Sequence, residues 1–172
     1  MKPFFSILIA VIITAAAVIF LYEPAAVLIF RITEPSFGSP VKNASGRLAI
    51  RNDVFGKGSF GTKRNGGRSH TGVDISAKVG DPVYAAKSGI AFRGNVPTGY
   101  GKYILIHQPD GTQTMYGHLS NWAVNTGKKV RRGDLIGFVG KTGNASNKNM
   151  QPHLHFEIRE DGKPVDPVDE MQ

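Results

Sequence analysis

The sequence predicts an all-β fold, one antiparallel domain preceded by a single N-terminal membrane-spanning helix. Three observations predict it. Short segments rich in Val, Ile, Tyr and Phe alternate with clusters of Gly, Pro, Asn and Asp. No stretch after residue 35 sustains a helical period. Residues 3–22, by contrast, carry no charge at all.

Taken in order, that uncharged stretch is about 30 Å long as a helix, roughly the thickness of one bilayer core. It reads as an uncleaved signal anchor over residues 1–30. The competing reading is a cleavable signal peptide, with Lys2 before the apolar run and Ala15-Ala16-Ala17 as a small-residue cleavage site. Cleavage there would leave the apolar residues 18–22 as a new terminus, an unsuitable start for a secreted protein. The second apolar patch, residues 25–30, follows Glu23-Pro24 and either prolongs the helix with a kink or lies at the interface. Lys2 and Arg31 flank the span singly, so charge orients it only weakly.

Residues 31–50 read as a connecting arm, rich in Pro, Gly and Ser. Residues 51–172 form the domain proper, where strands are expected at 82–86, 89–93, 102–107, 112–118, 135–139 and 153–159. Asp110-Gly111 and Asp161-Gly162 mark hairpin turns. The 21 glycines suit a fold with many tight turns, and roughly 120 residues bury a sufficient core without disulfides. There is no cysteine.

The formal net charge is +8. Lys2 and Glu23 cancel, so the excess lies beyond the apolar segment and favours an anionic polymer. The basic residues are dispersed, without an aromatic-interleaved stripe or nucleic-acid motif, so no nucleic acid is expected as partner.

Two short segments far apart carry the chemistry: His70-Thr-Gly-Val-Asp74 and His153-Leu-His155. In an extended strand residues i, i+2 and i+4 share a face, so each segment presents its imidazole and carboxylate groups together. These are ligand types that zinc prefers, and three protein ligands with a fourth position left to water make a catalytic site. Only five histidines exist; three fall in these segments and a fourth, His118, in Tyr116-Gly-His-Leu119. The fifth, His107, ends an apolar run before a turn and reads as a strand end. Tyr100 and Trp122 read as packing or rim residues.

His-x-Gly-x-Asp, Gly80-Asp-Pro-Val-Tyr-Ala85, Tyr-Gly-His-Leu, Val130-Arg-Arg-Gly-Asp-Leu-Ile-Gly137, Gly140-Lys-Thr-Gly143 and Pro152-His-Leu-His-Phe-Glu157 occur in one order. In this the chain resembles the lysostaphin-type (LytM-type) zinc endopeptidases that cut peptidoglycan peptides, from about Phe55 to about Pro167. The resemblance implies two antiparallel sheets with zinc in a groove on the larger. It implies that His70, Asp74 and His155 bind Zn2+, and that His118 and His153 act as base and transition-state stabiliser. Peptidoglycan would be the substrate, and the anchor would hold the domain at the membrane, outside the cytoplasm.

Independently of family, a zinc peptidase needs a group that takes a proton from water and returns it to the leaving amine. His-Glu-x-x-His, the usual glutamate-bearing motif, is absent. Two non-ligand histidines are the available substitutes. Two rival functions are a non-catalytic activator of another wall hydrolase, which would lack metal-site residues, and a sugar phosphocarrier, against which the apolar leader argues. One departure stands out. Glycyl-glycine-cutting members carry a tyrosine six residues before the first zinc histidine, and this chain has Arg64 there.

Overall fold

The computed structural model describes residues 2–42, 48–64 and 66–171. Two compact units are present, residues 1–35 and 36–172. The first is one helix, α1 (Lys2–Thr33). It is apolar on all sides and long enough to cross a membrane. Pro24 lies inside it, so residues 25–30 prolong the helix although one ladder hydrogen bond is missing there.

The second unit is built from strands β1 (Asn52–Asp53), β2 (Gly56–Lys57), β3 (Val73–Ser76), β4 (Pro82–Tyr84), β5 (Gly89–Asn95), β6 (Lys102–His107), β7 (Gln113–Trp122), β8 (Lys128–Val130), β9 (Leu135–Val139), β10 (His153–Glu160) and β11 (Lys163–Val165), closed by the short helix α2 (Pro167–Glu170). Among the described residues they form a two-stranded sheet, β1-β2, and a nine-stranded antiparallel sheet. Its main path runs β11-β10-β7-β6-β5-β8, with β3 on β10 and β9 linking β4 to β7.

Alternation explains the core. Ile104, Tyr116, Phe156 and Val73 lie in register across four strands, Ala91 stands opposite Ile106 on the same face, and all of them are buried. The Tyr116 hydroxyl would be costly to bury alone; it accepts from the Ala86 N–H and donates to Thr114 Oγ1. The six expected strands are present with small shifts of their ends. Asp161 and Gly162 both adopt positive φ, 49° and 74°, the type I′ turn that suits a two-residue hairpin between β10 and β11.

The arm expected at 31–50 is more packed than its composition suggests. Residues 31–33 continue α1. Phe37 and Val41 join the core, and the Gly38 N–H donates to the Ala86 carbonyl. Residues 43–47 of that arm lie outside the described residues.

Candidate metal centre

β3 and β10 pair so that Asp74 stands directly opposite His155 and Ser76 opposite His153. Core-facing Val73, Ile75, Leu154 and Phe156 fix this register, which puts Asp74, His153 and His155 on the other face. His70 arrives differently from the strand expected through it. β3 starts only at Val73, and His70 is held by its N–H to the Thr62 carbonyl and by the Gly61 N–H to its own carbonyl. The step between them needs Gly72. A Cβ there would sit 2.2 Å from the Phe156 carbonyl oxygen.

Three ligand atoms converge. His70 Nε2 and His155 Nδ1 are 3.1 Å apart, and Asp74 Oδ1 is 3.1 Å from the first and 3.0 Å from the second. Zinc–ligand bonds of about 2.0–2.1 Å at tetrahedral angles put ligand atoms about 3.3 Å apart, so the donor set fits such an ion almost without movement. Among the described residues this is the cluster of His, Asp and Glu atoms close enough to hold a metal.

Each ring is oriented by the nitrogen it does not offer. His70 Nδ1 donates to the Ser59 carbonyl at 3.0 Å, which turns Nε2 inward. His155 Nε2 donates to Glu157 Oε1 at 2.9 Å, leaving Nδ1 inward. Glu157 is fully buried, and it also accepts from Thr71 Oγ1, the Tyr100 hydroxyl and Arg159. Burial alone would raise its pKa, but the bonds and charges of His155, Thr71 and Arg159 hold it down at about 2. Sequence alternation already puts Glu157 on the His155 face; the supporting role of this residue was missed there.

Asp74 is held from behind. Its Oδ2 accepts from Arg51 at 3.0 Å and from Arg64 at 2.8 Å. Burial opposes ionisation, yet the hydrogen bonds from His155 and His70 keep its carboxyl far below the usual carboxylate range. Arg64, the departure from the tyrosine pattern, thus binds the carboxylate. Arg51 has no signal in the sequence, being distant from every motif.

His118 and His153 stand beside this cluster, ring centroids 5.0 Å apart, with His118 5.7 Å from His155. His118 Nδ1 donates to the Thr142 carbonyl at 2.9 Å and His153 Nδ1 to the Gln151 carbonyl at 2.8 Å. Both keep Nε2 for the site, and His153 Nε2 lies 3.8 Å from Asp74 Oδ1. Burial, reinforced for His118 by the neighbouring imidazoles, lowers both pKa values, that of His118 to about 3. Each is therefore neutral near pH 7, with the lone pair of Nε2 facing the site. His118 adopts φ 63°, and its N–H donates to the Tyr100 carbonyl. Left-handed backbone in a non-glycine residue is uncommon and collects at functional sites.

His107 ends β6 as expected, paired edge-on with Phe92. Trp122 packs on the core edge, its Nε1 donating to the Tyr103 carbonyl. Tyr100 is the packing residue expected, half-buried with its ring 5.4 Å from that of His155.

Comparison with known proteins gives the family. The model of Peptidase family M23 matches residues 68–167. The DD-carboxypeptidase/endopeptidase Mpg of Neisseria meningitidis serogroup B is 45% identical over 102 residues, which are 59% of this chain and 22% of Mpg. The chain thus spans about a fifth of that curated relative. A zinc-containing peptidase from Vibrio cholerae superposes with a TM-score of 0.63 at 31% identity, over 77% of this chain and 39% of that one. The catalytic domain of the antimicrobial peptidase lysostaphin from Staphylococcus simulans gives 0.57 at 33%, over 64% and 86%. With the family model covering more than half of its length and every motif in order, the chain belongs to Peptidase family M23.

Proposed function

We propose that this chain is a zinc-dependent endopeptidase that hydrolyses peptide bonds in peptidoglycan stem peptides or their cross-links. The observation that carries the reading is the arrangement of two non-ligand imidazoles, His118 and His153, with free Nε2 atoms beside a His70–Asp74–His155 donor set. A zinc held by those three residues supplies Lewis-acid polarisation of the scissile carbonyl and a more acidic water. His118 and His153 then do the proton work. One Nε2 receives the proton of the attacking water, and an imidazolium returns it to the departing amine nitrogen. The other, its Nδ1 proton given to a backbone carbonyl, can donate to the oxygen that gains negative charge only after Nε2 has itself taken up a proton; Arg64, engaged on Asp74, does not fill that role.

The endopeptidase name of the Neisseria relative supports a peptide bond as target, and a Vibrio cholerae relative, 36% identical over 96 residues and named peptidoglycan DD-endopeptidase ShyA, supports a bond in the wall. Arginine in place of tyrosine at position 64 favours direct cross-links over glycine bridges. Full-length protein in detergent is expected to convert cross-linked muropeptide dimers to monomers, to lose this with a chelator, and to cut pentaglycine poorly. Fragment masses decide it. Pentaglycine cut faster than dimers would overturn the substrate, and a zinc-loaded protein that cuts neither but activates a partner hydrolase would make it an activator.

The supporting carboxylate gives a separate test. Glu157→Gln exchanges an acceptor for a group that can present an N–H to His155, so zinc affinity is expected to fall about 10–100-fold, measured by competition with a chelating dye.

We assign residues 1–30 as a single-pass anchor, 31–50 as an arm and 51–172 as the peptidase domain, held outside the cytoplasm on the periplasmic or cell-wall side. The support is a helix apolar on all faces with enough length to span a bilayer. The chain is expected to stay in membranes after carbonate washing, at full length. A soluble form beginning near Val18 would instead establish cleavage.

A further inference from the structure

Outside the metal cluster, the feature that calls for a partner is the rest of the sheet face on which the cluster stands. Core residues alternate with this face, so Glu157, Met115, Leu105 and Phe92, successive cross-strand partners on β10, β7, β6 and β5, lie along it in one row. A solvated sheet face ordinarily reads polar. This one carries Phe92 and Ile90, each 39% exposed.

Rings also lead away from the cluster. Tyr100, 5.4 Å from His155, is followed at 6.1 Å by Tyr103. Tyr103 lies on the backbone of its cross-strand partner Gly94; a Cβ on that glycine would come within 2.3 Å of Tyr103 Cζ. Such a glycine lets the ring lie down across the strand. In the next row Arg159, Gln113, His107, Ile90 and Lys129 follow one another across five strands, so a cation ends the row on either side.

We propose that this face is a docking track for the glycan strand of peptidoglycan, with Tyr103 and Phe92 as stacking surfaces for its sugar rings. The inference rests on the substrate class proposed above. A stem peptide at the metal cluster is tethered to a glycan, which must then cross the adjoining surface; Glu157 and Met115 are buried, so the link to the exposed Phe92 end is made by the half-buried rings of Tyr100 and Tyr103. Uncharged rings suit the C–H faces of sugars, while Lys129 at the far end of the row suits the carboxylates of neighbouring stems; Arg159 at the near end is engaged on Glu157.

The test uses full-length protein in detergent and two substrates, intact insoluble peptidoglycan and a sugar-free cross-linked peptide dimer. Phe92→Ala and Tyr103→Leu, the second keeping bulk over Gly94, are expected to weaken pelleting with peptidoglycan and its cleavage about tenfold. They should leave cleavage of the sugar-free dimer at the wild-type rate. Asp74→Asn, defective in metal binding, should still pellet. Unchanged pelleting of both ring variants, or equal loss on the sugar-free dimer, overturns the track. So does a change confined to sedimentation of the protein alone, which would make the face a contact between copies. If wild type cuts neither substrate yet pelleting depends on Phe92, the track stands and the peptidase reading falls.

Discussion

Alanine at His70, Asp74 or His155 is expected to abolish stoichiometric zinc binding, from about one ion per chain to none by elemental analysis, and activity with it. The all-β circular dichroism signal should survive, because the β3–β10 register is fixed by core residues on the other side of the sheet. The three variants should differ in stability. Asp74→Ala alone removes the counter-charge of the buried Arg51 guanidinium, and breaking a buried pair from one side costs on the order of 3–5 kcal/mol; its bond to Asp53 offsets part of that. Acid should release the metal from the native protein. In the metal-free site burial disfavours a charged His155, but its hydrogen bonds to Asp74 and Glu157 prevail and raise it to about 9. Zinc must displace that proton, so affinity falls as pH drops below about 9, by about tenfold per unit for one proton. A wild-type chain free of zinc under metal-replete conditions would refute the ligand assignment.

His118→Ala and His153→Ala are expected to behave in the opposite way, retaining zinc but losing turnover by on the order of 10²-fold or more. The separation is physical. Their Nδ1 atoms are engaged on backbone carbonyls and their Nε2 atoms lie outside the three-ligand cluster, so removal takes away a proton carrier and no donor. KM should change less than kcat if the imidazoles act chiefly in the transition state. Loss of zinc in either variant would make that histidine a ligand and leave one imidazole to carry both proton steps.

The candidate centre was largely legible because strand alternation is a strict rule. His153 and His155 two apart, and Asp74 on a strand of buried Val and Ile, fix which side chains can meet once the two strands pair. Glu157 obeys the same parity, two residues beyond His155, and its position was readable although its function was not. What the sequence could not give is contact between segments with no periodic relation. Arg51 meets Asp74 through a backbone bridge between Arg51 N–H and the Asp74 carbonyl, and Ser59 and Thr142 act through carbonyl oxygens, which any residue possesses. Of the strands only two or three residues long, β1, β2, β8 and β11 went unread because so few residues carry no period, while β4 was legible from its apolar run between turn residues. His70 sits on irregular backbone, where alternation does not apply, and its convergence with Asp74 depends on Gly72.

The left-handed backbone of His118 has a consequence for evolution and engineering. Holding a non-glycine residue at φ 63° costs roughly 1–3 kcal/mol. Selection for stability alone would therefore drift position 118 towards glycine or asparagine, and a consensus or stability-guided redesign of this domain would find that exchange attractive. The gain would be a sturdier shell around a metal with one fewer carrier for its proton, so tolerance of heat and rate of hydrolysis are set against each other at a single backbone angle.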